Sequence, residues 1–575
     1  MKYLTNKKIV IFYCFLISLI FVYPLFSKNL VIGHDTLFHL GRIEALKGAY
    51  VNFDFFPRLY YHQNFMFGYA TPLFYSDIFL ILPALLRLMG LSLVFTYKLY
   101  LFICSFISVL CMFWASKKIV KNTYGPYLSS LLYLFCTYRI TDVYVRGALG
   151  EVMAMIFIPL VIYGMYNSIY EEKPKCMYLV IGFSGLLLVH NISFILFCIV
   201  YGIVLIINFK TLIKDKYRIA KICKAMLLSL GLLAFFLLPM FEQLRGGNYA
   251  VNEFVKDSNI SNYTLYFEQL FTIRLNFGLA GHEFGREYWM TTNTGPVIWI
   301  LSVFYLFVRK DKTKESRFIS ILGFVGIGSM IFCLNIMPWS FFNNFFSFIQ
   351  FPWRLMIVAC SLLSIVAAKS IDYFPQKKSK LIMIIIFLIT ILIGIYQLSF
   401  VCEQDTKIFN NTEYDLISDD SYSGKHGIVT YYNQAELAAA DYLPIKDNVN
   451  YREYGDYVKT NNPVQIENFS RQYNKIEFSI ESSDASTFYI LPLIYYKGYS
   501  VDVLDDHNKI IKSISTYPDD ESYLVSFNPG EYNQRITLRI QYKGTRIQFI
   551  SYGITGVTLV YLIISAILNR KGKRK

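Results

Sequence analysis

Residues 33–62 (GHDTLFHLGRIEALKGAYVNFDFFPRLYYH) hold a dense group of side chains that bind and move protons, directly after the first apolar segment. These ionisable side chains are His34, Asp35, His39, Arg42, Glu44, Asp54, Arg58 and His62. If residues 35–46 are helical, Asp35, His39 and Arg42 follow at i, i+4 and i+7 and share one face. A carboxylate, an imidazole and a guanidinium would then point the same way beside a membrane. The alternative is a solvated amphipathic turn whose charges merely face water.

Other ionisable groups recur at the ends of apolar segments. They are Arg139, Asp142, Arg146 and Glu151 around one corner, His190 at the end of a segment, Glu242 and Arg245 after another, His282, Glu283, Arg286 and Glu287 in a long loop, and Arg354 after Phe351-Pro352-Trp353. Charges at membrane depth are costly and tend to face a cavity or a partner. A single interfacial arginine, however, often only snorkels to lipid headgroups. Because so many of these groups fall on one side of the membrane, the pattern favours a polar cavity there.

Composition identifies the class of protein that must position these groups. Of the 575 residues, 55% are hydrophobic and 17% are charged, whereas a soluble globular protein is nearer a quarter charged. The chain is therefore predicted to be an integral membrane protein. Its formal net charge of +15 is expected to mark cytoplasmic loops rather than nucleic-acid binding. The ten cysteines lie in or at the ends of apolar segments, without zinc spacing, and the sequence has no glycine-rich phosphate loop, HExxH or GxSxG.

Apolar runs of about 17–23 residues predict about twelve membrane-spanning helices. The candidates lie near 9–27, 94–116, 123–140, 148–169, 176–190, 192–209, 223–241, 295–309, 317–335, 354–371, 381–401 and 547–568. The first is expected to remain uncleaved, since no small-x-small site follows it. The run 72–91 contains Pro83 and Arg87 and has only a short apolar core, so it is ambiguous.

Lysine and arginine placement predicts the orientation. With the N-terminus inside and 72–91 uncounted, the cytoplasmic loops near 117–121, 173–175, 210–224, 309–317, 369–380 and 570–575 are all basic. If 72–91 spanned the membrane, all later loops would change sides and the rule would fail. This run is therefore predicted to be re-entrant or interfacial. Both termini are then cytoplasmic, and the outer loops are 28–93 and 242–294.

The polar region 403–546 reads as an extracytoplasmic β domain. KIEFSIES (475–482) and RITLRIQY (535–542) alternate apolar and polar residues, and turn signals lie between the candidate strands. A β-sandwich or jelly-roll-like module fits this pattern. The predicted domains are thus a helical region at 1–402, the β domain at 403–546, and a last helix with a basic tail at 547–575.

Several motifs resemble known membrane proteins. The layout, with an acidic residue just after helix one and an outer C-terminal domain, is similar to the GT-C class of membrane glycosyltransferases. GHDTLFHLGRIEAL, YVRGALGE and IQFPWRLM, at 33–46, 144–151 and 349–356, resemble the bacterial membrane proteins named for a supposed relation to 6-pyruvoyl-tetrahydropterin synthase. YYKGYSVDVLD and FNPGEYNQRITLRIQY, at 495–505 and 527–542, are similar to the end of Gram-positive membrane proteins that glycosylate lipoteichoic acid.

The resemblance implies a glycosyltransferase that moves a sugar from a polyprenyl-phosphate donor to a cell-envelope glycan, glycolipid or protein, outside the cytoplasm and among membrane lipids. It implies Asp35 and His39 as catalytic residues, with donor or substrate contacts at Arg42, Arg58, Arg146, Glu151, His190, Arg245 and Arg354. No residue is assigned as a metal ligand. GT-C enzymes commonly carry a paired acidic motif, and the single Asp35 leaves a requirement for Mg²⁺ or Mn²⁺ open. The alternatives are a flippase for a lipid-linked glycan and a non-catalytic polysaccharide-binding scaffold.

Overall fold

The computed structural model describes residues 6–27, 30–64, 66–252, 260–279, 289–404, 408–409, 440–444, 457–505 and 507–571. Its longer helices are Lys7–Phe21, Thr36–Val51, Leu93–Ile119, Gly125–Leu134, Leu149–Tyr170, Met177–Val189, Asn191–Ile207, Lys216–Gly246, Pro296–Val308, Lys314–Phe332, Met356–Lys369, Gln376–Cys402 and Arg546–Lys571. Polar side chains begin several of them. Ser92 Oγ accepts a hydrogen bond from Phe95 N at 3.3 Å, and Thr313 Oγ1 accepts one from Ser316 N at 3.1 Å. Most of the apolar runs of the sequence fall in these helices, as predicted.

The count of about twelve spans is not confirmed. Among the described residues, seven helices are long and apolar enough to cross a membrane: Leu93–Ile119, Leu149–Tyr170, Lys216–Gly246, Lys314–Phe332, Pro352–Tyr373, Lys380–Cys402 and Arg546–Leu568. Three further apolar helices at predicted spans, Met177–Val189, Asn191–Ile207 and Pro296–Val308, are shorter. Helix length thus supports a membrane protein with several spans.

Two predicted segments are broken in the structure. The run 123–140 forms the helix Gly125–Leu134, stops at Phe135-Cys136, and resumes as the single turn Thr137–Thr141. The run 72–91 is divided by Ser76-Asp77, and its longest helix, Ile81–Leu88, has eight residues. At about 1.5 Å per residue that helix covers about 12 Å, well short of the hydrocarbon core of a bilayer.

The strands of the C-terminal region form two antiparallel sheets. One has the order Ile466–Gln472, Lys475–Ile480, Ile536–Tyr542, Tyr499–Leu504 and Ile510–Ser515; the other has the order Lys459–Thr460, Tyr489–Ile494, Leu524–Phe527 and Tyr517–Pro518. Ile536, Leu538 and Ile540 alternate into the core at 0–1% exposure. They share one hydrophobic cluster with Leu491 and Val525 of the second sheet. The predicted β region is confirmed, and the shared core makes it a sandwich.

The chain divides into two compact units. The first, here called the helical unit, comprises Met1–His39, Met89–Leu230 and Val255–Asp415. The second, here called the β unit, comprises Leu40–Leu88, Gly231–Phe254 and Leu416–Lys575. The β unit thus joins most of the first outer loop and the last helix to the sandwich.

Candidate functional site

Two glycines in the helical unit bring the segment that carries Asp35 against the turn that carries Arg146. Gly147 has a φ of +63°, a left-handed conformation that favours glycine. A Cβ atom added at Gly33 would lie 2.6 Å from the Gly147 nitrogen, so only glycine fits this approach. Asp35 N donates a hydrogen bond to Arg146 O at 2.6 Å. The motifs GHDT and VRG, far apart in the sequence, therefore meet.

A buried ion cluster lies at the N-terminal end of the membrane helix that follows this turn. Glu151 Oε1 forms an ion pair with Arg146 Nη1 at 2.9 Å and accepts a hydrogen bond from Arg354 Nε at 3.3 Å. Glu151 Oε2 accepts from the Tyr138 hydroxyl at 2.7 Å. Arg146 also pairs with Asp142, four residues before it. Since Glu151 is 1% exposed and Arg146 is 3% exposed, these ion pairs are shielded from water.

Aromatic rings complete the cluster. The rings of Phe351 and Trp353 stack with centroids 5.0 Å apart. The guanidinium of Arg146 lies 4.5 Å from the Trp353 ring centroid, and that of Arg354 lies 4.8 Å from the Phe351 centroid. Arg354 also donates to a backbone carbonyl and to the Gln350 side chain. Trp353 is 3% exposed, so it packs inside the protein.

The cluster carries an excess of positive charge. Its buried members are three guanidinium groups, on Arg139, Arg146 and Arg354, and two carboxylates, on Asp142 and Glu151. Their formal sum is +1 before the half-buried Asp35 carboxylate beside Arg146 is counted. Arg139 is fully buried between the rings of Phe21 and Tyr133, 5.7 and 5.6 Å from their centroids. Within the described part of the chain, the guanidinium nitrogens of Arg139 donate no hydrogen bond. Asp142 Oδ2 accepts none there either. A buried unpaired cation is costly, and an added anion would lower that cost.

Asp35 differs from the other two carboxylates of this region. It is half-buried, in the turn that precedes the helix Thr36–Val51. Its backbone carbonyl accepts from His39 N at 3.2 Å. Its carboxylate makes no hydrogen bond or ion pair with any residue that the structure describes, although Arg146 is a charged neighbour. The Asp35 carboxylate can therefore accept a proton, or a hydrogen bond from a hydroxyl group, beside the buried cations.

The two candidate histidines have structural contacts of their own. His39 is 3% exposed, and its ring centroid lies 5.2 Å from that of Phe38. His190 caps the helix Asn191–Ile207, because its Nδ1 atom accepts a hydrogen bond from Ser193 N at 3.2 Å. His190 also lies in the neighbourhood of Glu151, Arg146 and Arg354. It therefore borders the cluster, whereas the catalytic role of His39 stays a prediction.

Three predicted donor-binding arginines belong to the β unit. Arg42 is fully buried, pairs with Asp77 and donates to Ser76 O at 3.0 Å. Arg58 donates to the Tyr552 hydroxyl group and to the Phe235 carbonyl, which belong to two different membrane helices. Arg245 is exposed and has no hydrogen bond or ion pair among the described residues. The guanidiniums of Arg42 and Arg58 are thus occupied by the fold, and a role for any of the three with a donor stays a prediction.

The available ligand atoms do not suit a divalent cation. In the described ranges, no three His, Cys, Asp or Glu side chains come together in a way that could hold a metal. Asp142 and Glu151 each pair with arginine, so their negative charge is already compensated. Asp35 alone offers too few oxygen ligands for Mg²⁺ or Mn²⁺. The described residues therefore do not fit a bound metal. The loop residues His282, Glu283, Arg286 and Glu287 lie outside the described residues.

Only some contacts of the ion cluster have a signal in the sequence. Asp142 and Arg146 stand at i, i+4, a spacing that signals an ion pair on a helix. Tyr138 gives no such signal, because its contact with Glu151 depends on the break at Cys136. Arg139 was visible only as one charge among many at this corner. The approach of Arg354 to Glu151 joins residues 203 positions apart, which no local pattern encodes.

Comparison with known proteins decides the family. A family model described as "Bacterial membrane protein YfhO" matches residues 69–416, well over half of the chain. The chain belongs to the YfhO family of bacterial membrane proteins. An uncharacterized protein of Lactococcus lactis subsp. cremoris (strain MG1363) is 23% identical over 338 residues, which cover 56% of this chain. The chain spans about half the length of this curated relative, since the match covers 53% of it.

The YfhO match confirms the coarser part of the resemblance, a GT-C-like family of bacterial membrane proteins. It includes the cluster residues Arg146, Glu151 and Arg354, and also His190 and Arg245. It begins after residues 33–62, so Asp35, His39, Arg42 and Arg58 lie outside it. The ion cluster is therefore the part of the candidate site that falls within the family region.

Proposed function

We propose that this YfhO-family chain is a GT-C membrane glycosyltransferase that moves a sugar from a polyprenyl-phosphate donor to a cell-envelope glycan, glycolipid or protein. The transfer takes place on the extracytoplasmic face. The observation that carries the proposal is the cluster of three buried guanidiniums and two carboxylates, next to Asp35, whose backbone N–H donates to the Arg146 carbonyl.

The charge of the cluster suits the donor. A polyprenyl-phosphate sugar is a phosphodiester with one negative charge, and the cluster carries a formal +1. Arginine binds phosphate through two parallel N–H donors, a contact that lysine cannot reproduce. Arg146 is the better candidate for that contact, because its side-chain partners are Asp142, Glu151 and the Tyr138 hydroxyl, and the phosphate could replace a carboxylate.

The chemistry needs a base opposite a leaving group. Asp35 accepts the proton of the acceptor hydroxyl as that oxygen forms a bond with the anomeric carbon of the sugar. The bond from this carbon to the phosphate oxygen breaks, and polyprenyl phosphate leaves with the electron pair. Arg146 and Arg354 stabilise the charge that develops on the phosphate. In-line attack of this kind inverts the anomeric centre.

The test uses the full chain, purified and placed in lipid nanodiscs with a radiolabelled polyprenyl-phosphate sugar and envelope acceptors. We expect sugar transfer by the parent and a fall of about 10²–10⁴ in the Asp35→Asn variant, the usual cost of losing a general base. Asp520→Asn, which removes an exposed carboxylate of the β unit, is the control and should act like the parent. Arg146→Lys should insert normally and bind the donor more weakly.

Three results would contradict the proposal. Wild-type transfer by Asp35→Asn would remove the base from the proposal. Movement of the intact donor across vesicles without bond cleavage would mean a flippase. Binding of envelope glycan without transfer or movement would mean a scaffold.

A further inference from the structure

One arginine of the β unit binds a carbonyl that a proline leaves without its usual helical hydrogen bond. Pro239 lies inside the helix Lys216–Gly246 and has no N–H to give to the carbonyl four residues earlier, at Phe235. Arg58 Nη2 donates to that carbonyl at 3.1 Å. Arg58 Nε donates to the Tyr552 hydroxyl at 2.9 Å. Arg58 therefore links the loop after the helix Thr36–Val51 to two membrane helices.

The same two helices also approach closely on the N-terminal side of Pro239. Thr555 Oγ1 accepts a hydrogen bond from Phe235 N at 3.0 Å and donates one to Gly231 O at 3.2 Å. A Cβ added at Gly231 would lie 2.5 Å from Thr558 Oγ1. Small and hydroxyl-bearing residues allow membrane helices to approach in this way. The polar groups around Phe235 are thus satisfied by protein at a depth where water is scarce.

The depth of Arg58 follows from helix geometry. In the helix Lys216–Gly246 the polar end begins after Phe241, six residues from Phe235, which is about 9 Å along the axis. In the helix Arg546–Lys571 the apolar part begins at Phe549, three residues or about 5 Å before Tyr552. The side chains of Phe241 and Phe549 are exposed on the protein surface, as lipid-facing residues are. The guanidinium of Arg58 therefore lies below the ends of both apolar segments.

Three phenylalanines just before Arg58 are exposed. The exposed fractions are 82% for Phe53, 58% for Phe55 and 84% for Phe56. Their backbone is held by hydrogen bonds, including Asp54 N to Ala49 O at 2.9 Å. Patches of exposed apolar residues mark surfaces that meet another phase or partner. An aromatic patch on a fixed turn, at the depth set by Arg58, matches the acyl region of a bilayer.

We propose that Phe53, Phe55 and Phe56 form a finger that inserts into the lipid leaflet on the sandwich side of the membrane, with Arg58 as its latch. The occupant of this surface is the lipid acyl chain. Asp54, the one charged residue within the finger, is compatible with that position, because burial raises the pKa of its carboxyl to about 6. Its negative charge is therefore cheaper to remove than that of an ordinary aspartate.

The test places a fluorophore on single cysteines at Phe56 and Phe488 in a cysteine-free full chain in nanodiscs. Phe488 is the matched control, a phenylalanine of the same unit that is 42% exposed beside the strand Tyr489–Ile494. We expect acyl-brominated lipid to quench the label at Phe56 and aqueous iodide to leave it bright. The label at Phe488 should behave in the opposite way.

The latch is tested by combining the Phe56 label with Arg58→Met or Arg58→Lys. Loss of lipid quenching in Arg58→Met, with a partial loss in Arg58→Lys, is expected. If Arg58→Met does not fold, the Arg58→Lys variant decides the point. Iodide quenching of the Phe56 label in the parent would overturn the finger. Unchanged lipid quenching in Arg58→Lys and Arg58→Met would overturn the latch.

Discussion

Replacement of Glu151 by glutamine separates two consequences of the ion cluster. Glu151 holds Arg146 and Arg354 together, so its loss should lower stability. The same carboxylate competes with any phosphate for those guanidiniums, so its loss should strengthen anion binding. We therefore expect Glu151→Gln to melt at a lower temperature and to bind a phosphate more tightly than the parent.

The magnitudes follow from burial. Breaking a buried ion pair by removing one partner costs about 3–5 kcal/mol. Glutamine keeps one oxygen that accepts from the guanidiniums but loses an acceptor for the Tyr138 hydroxyl, so we expect a loss of about 2–4 kcal/mol. The formal charge of the cluster rises from +1 to +2. A gain of about 1.4 kcal/mol in phosphate binding would correspond to a dissociation constant about tenfold lower.

The assay is thermal unfolding in detergent with increasing farnesyl phosphate, and farnesol serves as the uncharged comparison. A ligand that binds only the folded state stabilises it in proportion to the logarithm of its concentration over its dissociation constant. Glu315→Gln is the matched variant. Glu315 is a buried carboxylate of the helical unit that pairs with Lys369, outside the cluster. It should lose stability similarly and show no change in its response to farnesyl phosphate.

Two results would refute this reasoning. A melting temperature for Glu151→Gln equal to that of the parent would mean that the carboxylate does not hold the arginines in solution. A lower melting temperature with weaker farnesyl phosphate binding would mean that Glu151 shapes the anion site instead of competing for it.

Two further predictions concern topology and the unpaired cation. In a cysteine-free chain, a cysteine at the exposed Ser482 should react with an impermeant maleimide on intact cells and one at the exposed Lys312 should not; labelling at Lys312 from outside would reverse the orientation. Arg139→Leu should raise the melting temperature of the free protein, since it removes an unpaired buried charge, and should weaken farnesyl phosphate binding. A lower melting temperature without ligand would show that Arg139 already has a partner.

Local patterns predicted the elements better than the contacts between them. Apolar length located the helices, and period two located strands such as Ile536–Tyr542, because both signals are carried by neighbouring residues. The break at Cys136 was missed, since it follows an apolar run without proline or glycine at that position. The predicted shared face of Asp35, His39 and Arg42 rested on helix periodicity, but the helix begins after Asp35, and Arg42 is engaged by Asp77. Spacing cannot reveal a partner from another segment.

The acceptors of each guanidinium distinguish the arginines that could exchange a ligand from those that the fold has fixed. Arg58 donates to a carbonyl freed by a proline, and this acceptor cannot leave without exposing the helix backbone. Arg146 has side-chain partners, two of them carboxylates, and an incoming phosphate can take the place of one carboxylate as it lowers the formal charge of the buried cluster from +1 to zero. Arg354 is intermediate, since its acceptors are one carboxylate, the Gln350 side chain and one backbone carbonyl. A phosphate that enters the cluster should therefore displace a carboxylate from Arg146 first and leave Arg354 tied to the chain, so Arg146→Lys should cost more donor affinity than Arg354→Lys.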